Sequence, residues 1–419
     1  MKPDELRALG LAFVFNFIVL GSYYVIRPIR DEIGAAGGVE KLPWMYTGTL
    51  VAMLFANALF SMIVARMSRR RFIPIAYRFF IANLVLFFVL MRTLPASQQV
   101  WVGRAFFVWV SVFNLFVATL FWAFMTDVFH TEQAKRLFGF ISVGGTLGGI
   151  VGGLVTAGLV RQIGAPNLLL ISAVMLEGGA WCVRFFPTEF KAEHAAAHRE
   201  ESKTAERPIG GTLWSGITNV ARSPYLLGIC AFLLLYAITS TLIYFQQADI
   251  TARSFHDRAA RTTFFAQLDV WVNGITILVQ FFLTGRLLKW IGVGLTLALL
   301  PMLSLIGFLG MGVMPILSLL AVFQVLRRAM NFALSRPARE VLFTVLRRED
   351  KYKAKSFMDT FVYRAGDQIG AWSYPLLTWM GLGLTGISFV AAPLAGIWCV
   401  LSLWLGRKQV ALARVNDRG

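Results

Sequence analysis

The stretch ALGLAFVFNFIVLGSYYVI (Ala8 to Ile26), followed at once by RPIRDEIG (Arg27 to Gly34), decides the fold. Crossing the hydrocarbon core takes about 20 apolar residues in a helix. Apart from its two tyrosines, the run holds only Asn16 and Ser22 as polar side chains. It follows a few polar residues and outlasts a signal peptide without a small-residue cleavage site, so it reads as a retained first helix.

The same pattern recurs along the chain. Candidate spans cover 8–26, 43–65, 72–94, 100–128, 137–160 and 167–186, then 225–250, 262–283, 293–311, 316–334, 357–379 and 387–405. The expected fold is all-α: a polytopic membrane protein with about twelve transmembrane helices in two pseudo-symmetric six-helix bundles. The bundles are 1–186 and 224–419, joined by a charged cytoplasmic linker, 187–223. Within the linker, 209–221 reads equally as an amphipathic surface helix or as an irregular loop.

Composition agrees. The 419 residues are 57% hydrophobic and 15% charged, with a mean hydropathy of +0.65, against about 25% charge in soluble domains. A water-soluble globule, a disordered chain, a disulfide scaffold and a coiled coil are all excluded. The net charge of +18 sits in short segments between apolar runs, which is the positive-inside pattern and not a nucleic-acid footprint. With the N-terminus inside, basic clusters follow the even-numbered helices, as at Arg69 to Arg71, Lys135 and Arg136, and Arg347 to Lys355. Lys41, Arg161, Arg253, Arg258 and Arg261 fall on the other side, yet the excess places both termini in the cytoplasm. Arg66 and Arg286 share an offset with Lys135 and Lys355, which points to parallel repeats about an axis along the membrane normal. These four are the candidate gate residues. Cys182, Cys230 and Cys399 lie in apolar runs with no metal or disulfide spacing.

A charge at mid-bilayer costs about 2.5–3.5 kcal/mol on insertion scales, so each one needs a partner or a watery cavity. Arg27 and Arg30 share a helical face with Tyr23 one turn earlier, while Pro28 weakens the helix locally. The two guanidiniums either grip a phosphate or carboxylate, or snorkel outward and pair with Asp31 or Glu32. In the eleventh helix Arg364 precedes Asp367 by one turn, an ion pair that is either structural or opens during transport. Asp249, after Gln246 and Gln247, and the deeper Asp269 are acids that can exchange a proton. Arg327 and Arg328 point about 100° apart, so at most one faces a cavity; the other takes an acid, with Glu177 as a distant candidate. Arg78 and Arg104 read as snorkelling.

The run GGTLGGIVGG (Gly144 to Gly153) reads as a close helix contact. A phosphate loop is disfavoured, since no Lys-Ser/Thr and no strand context accompany it. His130, His194, His198 and His256 lie outside the spans, so no metal site, cofactor or catalytic set is expected and the chain reads as no enzyme.

Two loops carry a resemblance. ARMSRRR (Ala65 to Arg71) and GRLLKWIG (Gly285 to Gly292) resemble the loop signature of the major facilitator superfamily, with Ala65 and Ser68 at its acid and glycine positions. More specifically, IRPIRD (Ile26 to Asp31), FWAFMTDVFHTEQAKRLFG (Phe121 to Gly139) and SRPAREVLFTVLRREDKYKAKSFMDTFVYRAGDQIG (Ser335 to Gly370) resemble the ATP/ADP translocase family and its relatives in free-living bacteria. Arg30 replaces that family's first lysine. Glu132, Ala134 to Arg136, Lys353, Lys355 and Asp359 keep its other features, whereas Ala248 and Asp249 replace its Trp-Lys pair.

The resemblance implies a secondary transporter in a bacterial inner membrane, moving an organic anion, either a nucleotide or another phosphorylated or carboxylated metabolite, by alternating access. Tyr23, Arg27, Arg30, Gln246, Arg327 and Arg328 are the candidate substrate ligands. Asp249, Asp269, Arg364 and Asp367 are the candidate coupling groups, for a proton or a counter-substrate. The expected partners are that small anion and the lipid bilayer, for a monomer. The alternatives are a proton-coupled transporter of an unrelated small molecule and a non-transporting receptor of the same fold.

Overall fold

The computed structural model describes residues 3–64, 69–129, 131–186, 223–346, 354–355 and 357–416. Arg66, the linker helix at 209–221, His130, His194, His198 and the basic run 347–353 lie outside the described residues, as do the side chains of Glu132, Lys135 and Asp359. All regular elements among the described residues are helical, as a bilayer demands of a backbone that must bond to itself.

The six helices of the first half are α1 (Pro3–Ala36), α2 (Leu42–Val64), α3 (Arg69–Thr93), α4 (Ala96–Val128), α5 (Thr131–Ile163) and α6 (Ala165–Phe185). The second half has α7 (Pro224–Ser254), α8 (Arg258–Val279), α9 (Gly292–Val313), α10 (Leu317–Met330), α11 (Tyr363–Trp379) and α12 (Leu384–Asn416). Eleven helices among the described residues are long and apolar enough to span a membrane. The remaining one, α11, has 17 residues and includes Arg364 and Asp367, which lowers its hydropathy.

Three π-helical turns interrupt the second half. Gln280–Thr284 extends α8 toward Gly285–Trp290, Asn331–Ser335 joins α10 to Arg336–Leu342, and Met358–Val362 leads into α11. The side chains of the first serve the backbone of the second: Gln280 Nε2 donates to the Phe332 carbonyl at 3.3 Å and Thr284 Oγ1 to that of Ala333 at 2.8 Å.

The first helix extends beyond its apolar span, as the shared helical face of Arg27 and Arg30 implies. It runs unbroken through Pro28 to Ala36, and the turns on either side of the proline carry Arg27, Arg30, Asp31 and Glu32, all held by ion pairs.

The described residues fall into two compact units. One lies within 3–37, 47–186 and 255–273, the other within 38–46, 223–254 and 274–416. In the first unit α1 packs on α4, α5 and α6. The glycines of α5 allow the approach: a methyl added at Gly144 or Gly152 would stand 2.5 Å from the carbonyl oxygen of Phe13 or Gly21, and one at Gly148 would collide with the Phe17 carbonyl. On the neighbouring face, Gly149 and Gly153 admit Asn273 and Val270 of α8. Interhelical hydrogen bonds from Asn16 to the Ile141 carbonyl and from Thr156 to the Val25 carbonyl, both 2.8 Å, fix the register.

The second unit repeats the device. Methyl groups at Gly366 and Gly370 of α11 would stand 3.1 and 3.0 Å from the carbonyls of Leu234 and Ile238 on α7. In each half, then, the fifth helix rests glycines one turn apart on carbonyls of the first, as parallel repeats require.

Gly148→Leu is expected to destabilise the folded protein by about 1–3 kcal/mol or more through overpacking. Gly158→Ala, on the same helix with open space beside it, leaves the melting temperature in detergent unchanged.

Candidate functional site

Five charged residues are buried among the described ones: Asp31, Glu32, Arg261, Asp269 and Arg327. How each is neutralised defines the candidate sites.

In the first unit the end of α1 meets α8 between Arg258 and Asp269. Arg27 Nη1 lies 2.8 Å from Asp269 Oδ1, and its Nε lies 3.8 Å from Asp31 Oδ2 one turn ahead. Arg30 Nη1 reaches Asp31 Oδ1 at 3.2 Å while its guanidinium stacks 4.1 Å over the Phe107 ring. Tyr23 lies one turn before Arg27, as its spacing implies, and Asn273 donates to the Asp269 backbone carbonyl at 2.8 Å. Two guanidiniums thus face two carboxylates. Next to them Glu32 accepts from Arg261 Nη2 at 2.8 Å and from Arg258 Nη2 at 3.3 Å. Arg261 also donates to the Phe255 and His256 carbonyls, tying the α7–α8 turn to α1.

The two alternatives for Arg27 and Arg30 are therefore divided. Arg30 does pair with Asp31, but Glu32 takes Arg258 and Arg261, and Arg27 takes Asp269, an acid the sequence reading had given a separate role. Glu177 does not serve Arg327 or Arg328: it binds Arg78 Nη2 at 3.0 Å, because both lie within the first unit, on α6 and α3. Arg78 is consequently paired, and Arg104 stacks 4.5 Å over the Trp101 ring.

In the second unit Arg327 occupies a different environment. It is 3% exposed, and its polar partners are all hydroxyls. Nη2 donates to Ser240 Oγ at 2.8 Å and to Thr239 Oγ1 at 3.2 Å, Nε donates to Ser304 Oγ at 3.3 Å, and the guanidinium lies 5.5 Å from the Tyr236 ring centroid. Thr239 and Ser304 donate in turn to the carbonyls of Leu235 and Leu300, which turns their lone pairs toward the cation. Among the described residues no acid offsets Arg327, and its Nη1 has no partner. Arg328, the alternative, is only half-buried.

One step along the same seam, Gln324 Nε2 donates to Gln247 Oε1 at 2.6 Å. Gln246 donates to Ser388 Oγ at 2.8 Å and to the Leu384 carbonyl at 3.2 Å, leaving its buried Oε1 without a hydrogen bond. The sequence reading missed Thr239, Ser240, Gln247, Ser304 and Gln324 because it weighed mainly ionisable groups. The available signal was polar residues at helical spacing within apolar runs, Ser240 with Gln247 and Gln324 with Arg327.

Most of the other acidic and basic candidates pair locally. Asp249 pairs with Arg253 one turn on at 2.7 Å. Arg364 and Asp367 form their expected bond at 3.1 Å. Lys355 Nζ reaches Glu340 Oε2 at 2.6 Å, and Arg286 is exposed. No group of three or more His, Cys, Asp or Glu able to hold a metal occurs among the described residues.

Repeated bundles of membrane-length helices, with buried ion pairs and, among the described residues, a buried arginine held by hydroxyls, define a polytopic membrane protein. The sequence model of the Major Facilitator Superfamily matches residues 9–338, and the chain belongs to that superfamily. It is similar to ADP,ATP carrier protein 2 of Chlamydia trachomatis serovar D, 22% identical over 96% of this chain and 89% of that protein. ADP,ATP carrier protein 1 of Chlamydia pneumoniae is 19% identical over 88% and 84%. In fold the chain is similar to a D-xylose-proton symporter, with TM-score 0.66, 10% identity and 96% and 97% of the two chains covered. A bacterial homologue of the iron transporter ferroportin gives TM-score 0.64 at 10% identity over 97% and 100%.

Removing one member of a buried ion pair strands its partner and costs about 3–5 kcal/mol, whereas replacing both by apolar groups is near neutral. Asp269→Ala is therefore expected to lower the unfolding free energy by that amount, and Arg27→Met with Asp269→Leu to recover most of it. Denaturation of the single and double variants in detergent measures the coupling.

Proposed function

We propose that the protein is a secondary transporter that carries a small organic anion across a bacterial inner membrane by alternating access, with both termini in the cytoplasm. The observation that carries this reading is Arg327: a buried guanidinium held by three neutral hydroxyls, with one nitrogen unused. Desolvating a cation costs several kcal/mol. A purely structural arginine recovers that from an acid, as Arg261 does from Glu32. Arg327 is built to receive its negative charge from a solute, and its planar fork suits a carboxylate or phosphate. The relatives are named ADP,ATP carriers, and ADP and ATP are organic anions, which supports the same class.

Tyr23, Arg27 and Arg30 form a second place where an anion competes, here against Asp269 and Asp31. Asp269 is the coupling group, because whatever displaces it from Arg27 leaves it ready to take a proton. Arg286, Lys355, Arg66 and Lys135 belong to the cytoplasmic gate, and Arg364 with Asp367 is an ion pair that breaks and reforms during the cycle.

Proteoliposome uptake of labelled anions tests the first point. Arg327→Gln is expected to reduce uptake at least 100-fold, an anchoring hydrogen-bonded charge being worth about 3 kcal/mol, while Arg327→Lys keeps part of it. Uptake unchanged in a folded Arg327→Gln variant removes that residue from transport. For the second point, Asp269→Asn is expected to abolish accumulation driven by a pH gradient and to spare exchange of internal for external substrate.

A further inference from the structure

The same seam restricts what the anion is. Resting on the reading of Arg327 as the anion anchor, we infer that the transported solute is a polyhydroxylated anion of a single negative charge, sugar-sized, and not a nucleotide.

The charge count comes first. In the first unit Arg27 and Arg30 face Asp31 and Asp269, two against two. In the second, Arg253, Lys355 and Arg364 each have an acid. Of the five buried charges among the described residues, Arg327 is the one without an opposite charge. That surplus answers one negative charge; the several charges of a nucleoside polyphosphate would stay largely uncompensated in a low-dielectric seam.

The hydroxyl requirement comes from the carboxamides. Gln324 Nε2 donates to Gln247 Oε1, and either arrangement of the two amides leaves the NH2 group of one and the carbonyl oxygen of the other over. Neither remaining atom has a partner among the described residues, and neither is sealed off. A donor beside an acceptor is the complement of a hydroxyl, which both gives and accepts a hydrogen bond. Ser240 and Gln247 are two turns apart on α7, and Gln324 and Arg327 three residues apart on α10, so the anion hook and the carboxamide pair are on the order of 5–10 Å apart. That is the reach of a sugar-derived acid whose carboxylate meets Arg327 and whose far hydroxyl meets the glutamines. Gln246 Oε1, buried and unbonded, lies on the next residue of α7.

Binding to the purified full-length protein in detergent tests this with four probes. D-Gluconate has charge and hydroxyls, D-glucose hydroxyls alone, hexanoate charge alone, and ATP several charges. Gluconate is expected to bind at least tenfold more tightly than each of the others. Gln324→Leu, with Gln247→Met as a second variant should the first not fold, is expected to erase the preference of gluconate over hexanoate while leaving hexanoate affinity within twofold. ATP binding as tightly as gluconate, hexanoate matching gluconate in the unmodified protein, or none of the four binding would each overturn the inference. The anion reading itself fails separately, if Arg327→Gln leaves every affinity unchanged.

Discussion

A guanidinium taken out of water must regain in fixed contacts what it loses in hydration, and membrane depth makes that loss several kcal/mol. The chain meets this constraint in two ways. Around Arg27, Arg30, Arg258 and Arg261 it supplies the carboxylates of Asp31, Glu32 and Asp269, and the result is a cross-linked end of α1 in which each guanidinium has an acid. Around Arg327 it supplies only hydroxyl lone pairs. Those hydroxyls orient the cation and leave its charge intact.

Orientation of this kind depends on backbone packing elsewhere. Ser240 and Thr239 present their oxygens where they do because α7 is held against α11 by Gly366 and Gly370, whose missing side chains let carbonyls of α7 lie directly on the partner helix. Ser304 does the same from α9, which is itself pressed on α12 where Gly294 meets Gly406. In the first unit the stack of α5 on α1 fixes where Arg27 projects, and Gly149 and Gly153 bring in the segment of α8 that carries Asp269. Small residues far from the charges thus decide how sharply the charges are placed.

Much of this was legible in the sequence. The helices declared themselves as apolar runs, the glycines of α5 as a packing face, and Arg364 with Asp367 as a pair one turn apart, since each is a local pattern with a known period. The pairings that the sequence does not reveal are long-range. Arg27 and Asp269 are separated by 242 positions, and nothing in either neighbourhood names the other. Glu177 meets Arg78 across 99 positions, a pairing that neither neighbourhood announces. The hydroxyls around Arg327 are easily overlooked because serine and threonine in apolar helices usually bond only to their own backbone; here Thr239 and Ser304 do that and accept from the arginine as well, and Ser240 accepts from it too.

The π turn at Asn331–Ser335 bears on any comparison of α10 with a relative. Such a turn holds one residue more than a regular one, so every side chain beyond it is rotated by about 100° from where an uninterrupted helix would put it. Arg327 lies before the turn and Arg336, Arg339 and Glu340 after it. An ungapped alignment to a homologue lacking that extra residue would keep Arg327 in place and assign every position after the turn to the wrong neighbour.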